Sequence, residues 1–157
     1  MPCATSSGAR PLARRCGLRH AFPITERGGH CLCGATRYAF DPKAMTWQAI
    51  CHCHDCQRAT GAPFLSWLGV RNGGWRWTAQ SPGAFVSSPG VTRYFCTTCG
   101  TSLAYYGERW PHETHFLAAT LDDPQNYEPA AHVYTKDALH LGEGLDDLPR
   151  FEALPNG

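Results

Sequence analysis

The 157-residue, 17.3 kDa chain is long enough for one domain with a substantial core and too short for two ordinary ones, and its 43% hydrophobic content excludes a disordered polypeptide. The net charge of +1 hides an asymmetry: Arg10, Arg14, Arg15 and Arg19 lie in an acid-free first twenty residues, leaving ten basic residues against thirteen acidic ones in the remainder. A body of that sign offers no basic stripe to neutralise phosphates, and no apolar run approaches the roughly 20 residues that cross a bilayer, so neither nucleic acid nor membrane is expected as a partner.

Residues 1–22 are expected to form a disordered N-terminal extension, with a composition like that of a transit peptide or an upstream extension, and residues 23–157 a single zinc-binding domain. The start has no continuous apolar centre, so the protein is expected to be cytoplasmic. Cys3 and Cys16 fall in the extension and are read as free thiols.

From Ile24 onward, short β-rich runs alternate with turn residues. Strands are expected at Ala35–Phe40, Trp47–Cys51, Phe64–Val70, Trp75–Thr78, Ala84–Ser87, Val91–Cys96, Ser102–Tyr106, Thr114–Thr120 and Ala131–Thr135. Gly28-Gly29, Asn72-Gly73-Gly74, Pro89-Gly90 and Asp123-Pro124 punctuate them. One short helix is expected near Asp55–Thr60, stopped by Gly61. Such a pattern describes an all-β, antiparallel domain with short helical turns. The Trp and Tyr residues of these runs are read as core and sheet packing.

Seven of the nine cysteines fall in three tight groups, Cys31 and Cys33, then Cys51, Cys53 and Cys56, then Cys96 and Cys99. Half-cystines that staple a fold are spread along it, whereas a metal needs several thiolates converging at about 2.3 Å and obtains them from short CxC and CxxC steps. If Cys31-Leu32-Cys33 is a strand, both sulfurs point to one face and Leu32 to the other. Together with the Cys96-Thr97-Thr98-Cys99-Gly100 knuckle they complete a closed four-sulfur structural zinc site. Cys51, Cys53 and Cys56 supply three sulfurs to a second zinc, leaving one position open for water or substrate, as catalytic zinc sites do. His52 or His54 could instead close that set; alternation along an extended segment would aim His52 away. His54, Asp55, Gln57 and Arg58 are expected around this metal, His54 being a candidate catalytic residue.

Gly29-His30-Cys31-Leu32-Cys33-Gly34-Ala35, Cys51-His52-Cys53-His54-Asp55-Cys56-Gln57-Arg58-Ala59-Thr60-Gly61-Ala62-Pro63-Phe64 and Phe95-Cys96-Thr97-Thr98-Cys99-Gly100-Thr101 resemble the glutathione-dependent formaldehyde-activating (GFA) enzymes, grouped with centromere protein V. The resemblance runs from about Ile24 to Glu152 and includes Leu148-Pro149-Arg150-Phe151 as a closing segment. It implies a zinc-containing β-tent fold, a structural zinc on Cys31, Cys33, Cys96 and Cys99, and a second zinc on Cys51, Cys53 and Cys56. It further implies a carbon–sulfur lyase acting on small adducts of a thiol such as glutathione with a small aldehyde, of the S-hydroxymethylglutathione class. The alternative is a non-catalytic zinc-binding module or glutathione carrier.

Overall fold

A computed structural model describes residues 26–141 and 150–151; the expected N-terminal extension, with Cys3 and Cys16, and Leu148-Pro149 of the closing segment lie outside them. The described chain is mainly β. Its strands are β1 (Arg27–His30), β2 (Arg37–Phe40), β3 (Met45–Cys51), β4 (Leu65–Arg71), β5 (Trp75–Trp77), β6 (Gly83–Ser88), β7 (Val91–Phe95), β8 (Ser102–Gly107), β9 (Glu113–Leu117) and β10 (Ala131–Val133). The one α-helix among the described residues, α1 (His54–Thr60), is a short turn of chain between β3 and β4.

The strands form a three-stranded sheet, β1-β2-β5, and a seven-stranded sheet, β10-β3-β4-β9-β8-β7-β6. All neighbours are antiparallel except β10, which joins β3 in parallel, so the large sheet is mixed at one edge where an antiparallel one was expected. A parallel neighbour needs a long crossover. The chain makes it by returning from β9 through 3-10 turns at Ala118–Thr120 and Pro124–Asn126.

Alternation along the central strands divides the large sheet into two working faces. Leu68 and Val70 of β4 and Phe116 of β9 point to one face, where they meet Tyr38 and Phe40 of β2 in the main core. There Tyr38 stacks on Phe116 at 4.3 Å between ring centroids, with Trp75 and Trp77 edge-on to the same ring. Leu65 and Trp67 of β4 point the other way, into a second cluster with Cys51 and Cys56. Both faces of β4 are therefore covered, as its largely apolar run Leu65-Ser66-Trp67-Leu68-Gly69-Val70 requires.

Most expected strands are present with bounds shifted by a residue or two. Expected strand Thr114–Thr120 stops at Leu117, and Ala118–Thr120 is a 3-10 turn, because the Thr120 hydroxyl turns back to the Leu117 carbonyl at 2.7 Å. β1 was not foreseen, since its Gly28-Gly29 reads as a turn. Here the glycines serve close approach: a Cβ on Gly29 would collide with the Tyr38 ring and the Thr120 carbonyl. No helix among the described residues is long and apolar enough to cross a membrane.

Candidate metal centre and cleft

Two groups of cysteines converge. The sulfurs of Cys31, Cys33, Cys96 and Cys99 lie within 4.8 Å of one another, as do those of Cys51, Cys53 and Cys56. The first group draws on the turn after β1 and the turn between β7 and β8, and so pins the small sheet to the large one. The premise of a strand at Cys31-Leu32-Cys33 does not hold. The segment is a tight turn closed by the Gly34 amide on the Cys31 carbonyl at 2.9 Å, with Gly34 in the left-handed region at φ 75°. Leu32 is 87% exposed at its tip, its amide held by the Thr101 hydroxyl at 3.1 Å.

Both donor sets fit a cation. Sulfurs at about 2.3 Å from a tetrahedral ion lie about 3.8 Å apart. The pairs Cys31–Cys33, Cys33–Cys96 and Cys51–Cys56 stand at 3.5, 3.8 and 3.8 Å. Main-chain amides are aimed at the sulfurs, Thr36 at Cys31 (3.3 Å), Thr98 at Cys96 (3.4 Å) and Cys56 at Cys53 (3.4 Å), the arrangement that stabilises thiolates. Thr36 Oγ1 is buried without a complete hydrogen bond, yet stands close enough to Cys96 to hold that thiol down to about 5. The Thr101 hydroxyl, 3.1 Å from Cys99 Sγ, holds that thiol at about 7. In the other group the neighbouring Cys56 thiol lowers Cys51, while Cys51 and burial push Cys56 up. Thiols this close share their protons in the way a cation would replace. Both groups could hold metal ions.

The three-cysteine group is built where β3 gives way to α1. Cys51 closes β3, Cys53 is the N-cap of α1 with its sulfur accepting from the Cys56 amide, and Gly61 ends the helix at φ 73°. His52 turns outward onto β10, its Nε2 2.9 Å from His132 Nδ1 with the rings stacked. Its own amide bonds the Val133 carbonyl at 3.0 Å. His54 is exposed on the rim, with Nε2 3.8 Å from Asp137 Oδ1 and Nδ1 3.4 Å from Gln57 Oε1. Gln57 is buried and structural, its amide nitrogen donating to the carbonyls of His52 (2.6 Å) and Asp137 (3.0 Å). Asp55 also lines the cleft below; Arg58 borders a neighbouring depression that shares Asp55, Trp67 and Arg93 with it.

The three sulfurs open on a cleft of about 760 Å3, a size typical of small-molecule sites. Its floor is one transverse row of the large sheet. Trp47 of β3 pairs with Gly69 of β4, Gly69 with His115 of β9, His115 with Tyr105 of β8, and Tyr105 with Arg93 of β7. Gly69 leaves the space into which the Trp47 indole lies, since a Cβ there would collide with the indole nitrogen. That nitrogen donates to Glu113 Oε1 at 2.9 Å, and Glu113 also accepts from Thr46 Oγ1 (2.8 Å) and His115 Nε2 (2.9 Å). Burial opposes ionisation of Glu113, but these donors together keep its carboxyl below the ordinary value. Burial likewise lowers His115, so the imidazole is neutral near pH 7 and its Nε2 carries the proton shared with Glu113.

None of Arg93, Tyr105, Trp110, Glu113 and His115 was singled out from the sequence as a site residue. The signals were faint but present: Trp47 shares the alternation of Ala49 and Cys51, and Glu113 and His115 stand two apart in a strand, facing one way. What joins them is strand register, which links positions up to 68 apart in the chain.

A solved structure of a Rhodobacter sphaeroides protein superposes on this one with a TM-score of 0.54 at 22% sequence identity, covering 67% of this chain and 98% of that chain, a likeness of fold. Among curated proteins none matches. Over residues 26–137, a span that holds every described strand and both cysteine groups, the chain matches the family of the glutathione-dependent formaldehyde-activating enzyme, and it belongs to that family.

Proposed function

We propose that the protein is a zinc-dependent carbon–sulfur lyase that makes and breaks adducts of a thiol, glutathione in the first instance, with a small aldehyde. In the forming direction the thiol sulfur adds to the carbonyl carbon, the carbon–sulfur bond forms, and the carbonyl oxygen takes up a proton equivalent to the one the thiol gave up. The observation that carries this reading is the opening of a three-sulfur group, Cys51, Cys53 and Cys56, onto a substrate-sized cleft, beside a separate four-sulfur group that lies between the sheets. Two zinc ions per chain follow from it. The one on Cys31, Cys33, Cys96 and Cys99 is structural, and the one on the three-sulfur group has a position for substrate. A zinc held there would keep a substrate thiol deprotonated near neutral pH and orient it toward the carbonyl carbon.

The chain's own groups supply the rest. Arg93 and Lys136 are the cations lining the cleft and suit the two carboxylates of a tripeptide thiol. His54, on the rim with Asp137 beside it, is positioned to exchange a proton with solvent at the cleft mouth. Trp67 and Leu65 pack against Cys51 and Cys56 and keep water from the back of the sulfur group.

The test combines metal analysis with kinetics on the purified full chain. About two zinc ions per chain and acceleration of adduct formation over the spontaneous reaction are expected. Binding of glutathione with no change in rate would make the protein a carrier instead, and paired disulfides in place of zinc would remove the basis of the reading.

A further inference from the structure

Neither glutathione nor formaldehyde explains the aromatic wall of the cleft. Trp47, Tyr105 and Trp110 surround His115, with Tyr105 stacked on the imidazole at 5.3 Å and 22°, Trp47 edge-on at 4.7 Å and Trp110 tilted at 5.5 Å. Trp67 and Tyr105 meet at 6.2 Å, and Trp47, Tyr105 and Cys53 pack against the buried cluster of Cys51, Cys56, Leu65 and Trp67. The wall is rigid before any ligand arrives. The Trp47 indole is tied to Glu113, that carboxylate to Thr46 and His115, and the Tyr105 ring is clamped beneath the Arg93 guanidinium at 5.3 Å. Such preorganised aromatic surface favours a flat or bulky apolar group, because little side-chain freedom is lost when it binds. Trp47, Tyr105 and Trp110 are each half-buried and line the cleft.

We propose that this wall is a slot for the aldehyde's substituent: the aldehyde used at the three-sulfur site carries an aromatic or bulky apolar group, seated against Trp47, Tyr105 and Trp110, and formaldehyde is a minimal substrate that leaves the slot unfilled. The inference rests on the proposed lyase reading. A one-carbon aldehyde needs no aromatic slot, and a tripeptide thiol brings no apolar arm to fill one. The group in the slot therefore belongs to the aldehyde carbon.

The experiment uses the full-length, zinc-loaded protein and two stable thioethers of one thiol, S-benzylglutathione and S-methylglutathione, with binding followed by calorimetry and by tryptophan fluorescence. The benzyl compound is expected to bind at least about tenfold more tightly and to perturb the fluorescence. Trp110→Ala, a change in the turn between β8 and β9, should reduce that ratio to about threefold or less. Kinetics with glutathione should favour benzaldehyde over formaldehyde in kcat/KM. Equal affinities for the two thioethers, no binding of either, or a ratio that survives both Trp110→Ala and Trp47→Phe would overturn the slot. Acceleration with formaldehyde alone, beside equal affinities, would overturn the slot and leave the lyase standing. A preserved affinity ratio without acceleration for any aldehyde would overturn the lyase and retain the slot.

Discussion

His115 shows how much one buried ring is asked to do. Among the described residues it sits amid three aromatic rings, is 7% exposed, and has one polar partner, Glu113, whose carboxylate it shares with Trp47 and Thr46. Burial outweighs the pull of that carboxylate and sets the imidazole below its ordinary value of 6.5. The folded chain therefore holds this proton less readily than the unfolded chain does. The stability it contributes is present above the unfolded value and is lost as pH falls through the folded one. From about pH 7.5 to about pH 5.5 the melting temperature should fall more steeply for the wild type than for His115→Asn. Proton competition at the thiolates acts on both proteins and cancels in the difference. Parallel slopes would place the ring's charge outside the folding equilibrium.

At the level of elements, the legible parts were those whose pattern is local. Trp47 to Cys51 and Leu65 to Val70 alternate or run apolar over a whole strand, and Gly61 stops α1 in the left-handed conformation that its residue type favours. The cysteine groups were legible because ligand spacing is itself a local code. β1 was not, because its four residues hold no β-branched or aromatic side chain and its stability comes from pairing with β2 and from the space its glycines leave for Tyr38. The cleft wall was illegible for a related reason, since register decides which rings meet. Gly29→Val would fill the space that Tyr38 and Thr120 occupy and shift the strand that leads into Cys31. A loss of about 1–3 kcal/mol is expected from overpacking, accompanied by weaker metal retention at the four-sulfur group. Thermal melts with metal analysis before and after chelation check it; an unchanged melting temperature would mean that the hairpin yields without cost.

On the proposed reading, the whole molecule should depend unequally on its two cysteine groups. Cys31 and Cys96 are fully buried between the sheets, whereas Cys51, Cys53 and Cys56 all come from one six-residue window at the far face. A structural zinc contributes on the order of 10–16 kcal/mol in small peptides, comparable with the entire stability of an ordinary domain at about 5–15 kcal/mol. Cys96→Ser should therefore leave little folded protein. Cys53→Ser should keep the fold, with a melting temperature closer to the wild type, about one zinc instead of two, and no thiol-dependent activity. Metal content, melting temperature and thiol binding measured on both variants decide the matter. If Cys53→Ser unfolds the chain as thoroughly as Cys96→Ser, the three-sulfur group is structural as well.

The parallel edge strand has a consequence in time. Synthesis runs from the N-terminus, and the four-sulfur group with both of its flanking turns is complete once β8 has emerged. The three cysteines of the other group emerge earlier, but the cleft around them waits. Cys51 is paired by Val133, His52 by the same strand, and Lys136 and Asp137 of the cleft follow it. A nascent chain can thus bring the four sulfurs of Cys31, Cys33, Cys96 and Cys99 together while the mouth of the cleft is still unmade. The three sulfurs acquire their enclosure only with the last described strand.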